Sequence, residues 1–238
     1  MSVTGFTHMT NKSEHRRWFV VVLYAIAMAW VEAAVVYYLR SLIHRINPYQ
    51  PYPLPMAGGF GEAELIREIA TLIMLFAVGW LAGANWRTRL GYSVVAFGVW
   101  DIFYYIFLRV LTGWPKSLLD WDILFLIPLP WWGPVWAPTS IALLMILWGT
   151  FMTKVDRSPV SSGPRWKFLT LGGVGVVLAL FTFMADAIRT ADQGTDALRN
   201  MLPVRFNWPL FGVALALMTL PLADVARQEL RARCKGES

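Results

Sequence analysis

The chain has 238 residues, of which 57% are hydrophobic and only 15% are charged. Soluble domains carry roughly 25% charged residues, so this composition excludes an ordinary soluble protein and indicates a chain whose surface mostly faces lipid. The formal net charge is +6, but the lysines and arginines lie in short clusters between apolar blocks, which is typical of membrane topology signals. We therefore expect a lipid bilayer as partner and no nucleic acid.

Apolar blocks long enough to cross roughly 30 Å of hydrocarbon as helices recur along the chain. They predict an all-α fold, a polytopic helical membrane protein with six transmembrane helices. The predicted spans are residues 18–39, 64–86, 90–111, 135–152, 168–188 and 207–225. The predicted domain organisation is a polar N-terminal tail at 1–17, a single transmembrane domain at 18–225 and a basic C-terminal tail at 226–238.

Small residues in two of the spans predict close contacts between helices. In the first span Ala25, Ala29 and Ala33 recur every fourth residue, and the second span contains Gly79-x-x-x-Gly83. Both patterns allow the backbone of another helix to approach closely. Other membrane subunits or further copies of the chain are candidate protein partners.

The distribution of positive charge predicts the orientation of the chain in the membrane. With six spans, the side that holds both tails carries 13 of the 21 lysines and arginines. Positive residues favour the cytoplasm, so both termini are expected to be cytoplasmic. The expected location is a plasma membrane or a bacterial inner membrane.

The segment at residues 117–132 is apolar enough to resemble a further span. It is short, however, begins with Asp120 and Asp122, and contains Pro128 and Pro130. If it crossed the membrane, the basic loop after span 4 would move outside and the charge bias would weaken. We therefore predict a re-entrant or interfacial segment between helices 3 and 4 on the outer face. Its tryptophans are expected to form an interfacial belt comprising Trp114, Trp121, Trp131, Trp132 and Trp136.

Three carboxylates lie within predicted spans: Glu32, Glu68 and Asp101. A charge at the centre of a transmembrane helix costs at least about 2.5–3.5 kcal/mol, so such groups are usually paired or functional. All three fall in the outer half of their spans, and Asp101, Tyr105 and Arg109 share one helical face. The full set of candidate binding residues is Glu32, Glu68, Asp101, Tyr105, Arg109, Arg67, Asp120 and Asp122.

Residues for metal or covalent chemistry are scarce. The one cysteine, Cys234, excludes an intrachain disulfide and a cysteine-based metal site. The histidines, His8, His15 and His44, are too few and too scattered for bis-His haem or a His-rich di-iron centre. There is no Gly-rich phosphate loop, H-E-x-x-H or nucleophile elbow. We predict no metal and no other cofactor, and we assign no catalytic residue.

Three functions are compatible with these patterns. We favour a non-enzymatic membrane subunit or binding protein, in which carboxylates and arginines organise the bundle and an outer-facing site. One alternative is a small proton- or ion-coupled transporter, which an inverted repeat or a water-filled path would support. The other alternative is an intramembrane acid–base enzyme acting on a lipid or isoprenoid-like substrate. A lateral opening beside Asp101 that leads to an apolar tunnel would support the enzyme.

Overall fold

The computed structural model describes residues 3–50, 60–155 and 164–236. The described residues are mostly helical, with one small hairpin. In order, its elements are α1 (Val3–Leu42), α2 (Phe60–Ala82), α3 (Trp86–Thr112), β1 (Trp121–Ile123), β2 (Trp132–Pro134), α4 (Trp136–Val155), α5 (Trp166–Thr190), a 3-10 turn (Ala191–Gln193), α6 (Thr195–Asn200) and α7 (Trp208–Gly236).

Six helices in the described part of the chain are long and apolar enough to cross a membrane, namely α1 to α5 and α7. The prediction of an all-α, six-span membrane protein is therefore confirmed. The described residues of both predicted tails are helical and belong to the neighbouring transmembrane helices: α1 begins at Val3, and α7 continues to Gly236. The outermost residues of the tails, 1–2 and 237–238, lie outside the described residues.

The connection between α2 and α3 has the predicted length but lies four residues earlier than predicted. Helix α2 ends at Ala82, and α3 begins at Trp86 with Asn85 as its N-cap. The Asn85 Oδ1 accepts a hydrogen bond from the Thr88 N–H at 3.0 Å, and the Thr88 Oγ1 accepts one from the Asn85 N–H at 3.1 Å. This reciprocal capping fixes the start of α3 because it satisfies N–H groups that have no partner inside the helix.

Substituting Asn85 with alanine is expected to lower the free energy of unfolding by about 1 kcal/mol, because the first turn of α3 loses its cap. Denaturant titration of the detergent-solubilised protein, followed by circular dichroism, measures this loss. Asn85→Asp keeps an oxygen acceptor and should remain close to the wild type. Equal losses for the two variants would contradict the capping role.

Helix α3 is the central helix, since it packs against α1, α2 and α4. Helices α5 and α7 form a second pair, which joins the first group mainly where α4 meets α7 and where β2 meets α5. The small-residue predictions are confirmed. Ala25, Ala29 and Ala33 are fully buried, and a Cβ atom on Gly79 would lie 2.3 Å from the backbone N of Ser93 in α3.

The predicted re-entrant segment contains the hairpin. Strands β1 and β2 pair antiparallel, with Asp122 opposite Gly133. The ladder is extended by a hydrogen bond from the Leu124 N–H to the Trp131 carbonyl at 2.8 Å. These bonds satisfy backbone groups that apolar surroundings would otherwise leave unpaired.

The prediction of an interfacial tryptophan belt is wrong for two of its five members. Trp114 and Trp132 are buried, with 4% and 2% of their surface exposed, and only Trp136 is clearly exposed. The rings pack inward: Trp131 stacks on Phe183 of α5, and Trp121 stacks on Tyr49. They form the core beneath the hairpin because burying aromatic rings against each other removes more apolar surface from water than an interfacial position.

Candidate functional site

A polar cavity of about 170 Å³ lies among α1, α2 and α3, where the hairpin covers them. Its lining contains five carboxylates and two guanidinium groups: Glu32, Glu64, Glu68, Asp101, Asp122, Arg40 and Arg67. The hydroxyls of Thr71, Tyr104 and Tyr105 and the ring of Trp100 also line it. Acidic groups therefore outnumber basic ones in this lining.

Arg67 links the carboxylates of α1 and α2. It forms an ion pair with Glu32 across the two helices, and its Nη2 lies 2.7 Å from Oε2 of Glu64 on its own helix. The Thr71 hydroxyl also donates to Glu32, at 3.2 Å. The Arg67 guanidinium group therefore neutralises charge on two glutamates, and the Thr71 hydroxyl gives one of them, Glu32, a further hydrogen bond.

Arg40 and Asp122 join α1 to the hairpin. The Arg40 Nη2 lies 2.8 Å from the Asp122 Oδ1, and both side chains are largely buried. The Arg40 guanidinium also lies over the Trp114 ring, 4.5 Å from its centroid, a favourable cation–π position. The Tyr105 hydroxyl interacts with the same carboxylate. Burial raises the pKa of Asp122, and the attraction of Arg40 opposes this rise.

Glu68 provides a second link to the hairpin. Both of its carboxylate oxygens accept from the Leu126 N–H, each at 3.1 Å. An ionised acceptor makes a stronger hydrogen bond than a neutral one. The loop between β1 and β2 is thus held against α2 at one edge of the cavity.

Asp101 is distinguished from Glu32, Glu64 and Asp122 by its lack of an arginine partner among the described residues. It lies in the middle of α3 with 9% of its surface exposed, and its Oδ2, like the Oδ2 of Asp122, has no hydrogen-bond partner in that part of the chain. No arginine or lysine in the described part of the chain forms an ion pair with it. The charge of the Asp122 carboxylate repels the charge of Asp101. A buried acidic oxygen without a donor is costly and points to an occupant.

The structure brings together six of the eight residues that the sequence analysis selected. These are Glu32, Arg67, Glu68, Asp101, Tyr105 and Asp122. Arg109 does not join them: it lies exposed at the end of α3, two turns beyond Asp101, and its Nη1 donates to the carbonyl of Pro115 at 2.8 Å. Asp120 lies outside the cavity as well, because its Oδ2 accepts from the backbone N–H of Lys116 at 2.7 Å and stabilises a turn.

Two charged residues of the cavity were absent from the predicted set, Arg40 and Glu64. The spacing of both residues along their helices could have identified them as neighbours of residues in the predicted set. Glu64 precedes Arg67 by three residues, so the two share a face of α2. Arg40 follows Glu32 by eight residues, which also returns to nearly the same face of α1.

Comparisons of the chain with protein-family models, with curated proteins and with solved structures found no match. The chemistry of the cavity therefore carries the functional inference. Within the described residues, no three His, Cys, Asp or Glu side chains are grouped so as to hold a metal ion. The donors that face these carboxylates are guanidinium, hydroxyl and backbone N–H groups.

Proposed function

We propose that this integral membrane protein is a binding protein for a small organic cation, a protonated amine, which occupies the cavity among α1, α2 and α3. The observation that carries the proposal is the buried Oδ2 of Asp101, which lacks a donor and lies beside a second carboxylate. An ammonium group would donate to this oxygen and offset the repulsion between Asp101 and Asp122.

The other walls of the cavity suit the same ligand. Trp100, Tyr104 and Phe125 present aromatic rings, and aromatic faces attract cations at about 6 Å or less from the ring centroid. Arg40 and Arg67 repel the ligand little because each already pairs with a carboxylate. At roughly 30 Å³ per water, the volume of about 170 Å³ holds about five waters or a small amine.

Ligand-induced thermal stabilisation tests this proposal. A panel of small protonated amines, for example ethylammonium and dimethylammonium, is titrated into the detergent-solubilised protein, with neutral isosteres as ligand controls. The expected result is a rise in Tm that grows with the logarithm of the ligand concentration and is equivalent to about 2.7 kcal/mol at 100 times Kd. Asp101→Asn should abolish the rise because the amide replaces the anionic oxygen with a neutral group.

Asp192→Asn is the matched control, since it removes a carboxylate that is exposed in the 3-10 turn. It should respond to the amines as the wild type does. Equal stabilisation of wild type and Asp101→Asn, or equal stabilisation by an amine and its neutral isostere, would rule out amine binding at Asp101.

The proximity of Asp101 and Asp122 favours a second candidate, a proton-coupled carrier. Two buried carboxylates that repel each other are also relieved by a single shared proton. Proteoliposomes with an internal pH-sensitive dye distinguish the candidates. A carrier moves protons, and Asp101→Asn stops the flux, whereas an amine-binding protein gives no proton flux in either form.

The enzyme alternative gains no support. It would require an apolar opening beside Asp101, but the apolar groove of about 780 Å³ among α3, α4 and α7 is not lined by Asp101.

A further inference from the structure

A second cavity lies on another side of α3, and Tyr105 lines both it and the amine site. It is a surface groove of about 780 Å³ bounded by α3, α4 and α7. Apolar side chains form most of its lining, among them Leu144, Leu147 and Leu215. Helix α4 packs chiefly on α3 and α7 chiefly on α5, so the groove follows the loose junction between the two helix groups.

One end of this groove is positively charged. Arg109, in the last turn of α3, and Lys116, in the following loop, both line it, and no acidic residue is found among the described residues of its lining. Arg109 uses only Nη1 for hydrogen bonds within the described part of the chain, to the carbonyls of Gly113 and Pro115. Its remaining N–H groups are therefore available to an anion. The nearby carboxylate of Asp120 is occupied by backbone N–H groups and does not line the groove.

The length of the groove matches one lipid chain. Along α4 it extends from Trp136 to Leu147, which is about 16 Å at 1.5 Å per residue. This is about half of the roughly 30 Å hydrocarbon thickness of a bilayer, or the depth of one leaflet. The cationic residues lie beside Trp136, at the end of the helix where a headgroup would be placed.

We infer that the groove binds an anionic phospholipid, whose phosphate contacts Arg109 and Lys116 and whose acyl chain lies along Leu144, Leu147 and Leu215. The charge at one end and the apolar floor together select this ligand. A zwitterionic lipid would fill the apolar part equally well but would gain less from the two cations, because its headgroup carries a compensating positive charge.

Native mass spectrometry tests this inference on the full chain. The detergent-solubilised protein is incubated with equimolar phosphatidylglycerol and phosphatidylcholine of identical acyl chains, and the bound lipids are counted. We expect the wild type to prefer phosphatidylglycerol by about tenfold, and we expect Arg109→Gln/Lys116→Gln to lose most of this preference. Arg189→Gln/Arg205→Gln removes two exposed cations outside the groove and should retain the preference for phosphatidylglycerol.

Two results would overturn the inference: no preference in the wild type, or an equal loss of preference in the two double variants. If Arg109→Gln/Lys116→Gln does not fold, the acyl-chain part of the site gives an independent test. Leu147→Trp fills the groove and should lower the amount of phosphatidylglycerol retained by several fold. Leu81→Trp, on an exposed position of α2, should not. Equal retention by these two variants would exclude the groove as the lipid site.

Discussion

Arg40→Gln is expected to lower the free energy of unfolding by about 3–5 kcal/mol. The substitution leaves the Asp122 carboxylate, which has 1% of its side chain exposed, without the cation that lies 2.8 Å away. It also removes the guanidinium from the Trp114 ring. Because this pair joins α1 to the hairpin, the cover of the polar cavity should be the first part of the structure to loosen.

Equilibrium unfolding of the detergent-solubilised protein in denaturant measures this effect. Arg189→Gln is the matched control, because Arg189 pairs with Asp186 on an exposed surface and should change stability by less than about 0.5 kcal/mol. The double variant Arg40→Gln/Asp122→Asn should recover part of the loss, since a neutral side chain no longer requires a cation. A double variant as unstable as the sum of the single variants would show that the two residues are not coupled.

The loss in Arg40→Gln should depend on pH. Burial already raises the pKa of Asp122, and removing Arg40 eliminates the attraction that opposes this rise. A carboxyl whose folded-state pKa lies above its unfolded value costs stability once the pH exceeds the unfolded value of about 3.9. The difference between wild type and variant should therefore be larger at neutral pH than at acidic pH, and it should shrink as the pH falls. A difference that grows with acidity would contradict this origin.

Gly149→Ala is expected to destabilise the protein by about 1–3 kcal/mol through overpacking. A Cβ atom at this position in α4 would lie 2.5 Å from the carbonyl oxygen of Gly91 and 2.8 Å from Cγ2 of Val95, both in α3. Because one of these contacts is backbone, the two helices must separate to admit the methyl group. The separation also disturbs α3, which carries Asp101 and Tyr105.

The control for this substitution is Gly173→Ala in α5, where no atom lies within 4 Å of the new Cβ. Alanine favours helix more than glycine, so this variant should be neutral or stabilised by up to about 1 kcal/mol. Thermal unfolding of both variants in the same detergent measures the difference. Similar midpoints for the two would show that α3 and α4 do not meet as closely as described.

The sequence by itself determined the class of protein and the number of its spans. Six apolar blocks and the low charge content suffice for this, because each helix satisfies its own backbone hydrogen bonds and its length is set by the bilayer. The close packing of Ala25, Ala29, Ala33 and Gly79 was also predictable, since small residues at intervals of four lie on one face of a helix.

Only the tertiary structure decided which polar residues meet. Arg109 shares a helical face with Asp101 in the sequence pattern, yet it lies two turns further along α3. Its guanidinium group donates to the Pro115 carbonyl beyond the end of that helix and not to Asp101. Asp120 and Asp122 are only two residues apart, but Asp120 lies in the turn before β1 and caps that turn, whereas Asp122 lies within β1 and lines the cavity. Local periodicity fixes the direction of a side chain within its own element, whereas the partner it reaches depends on how separate elements pack.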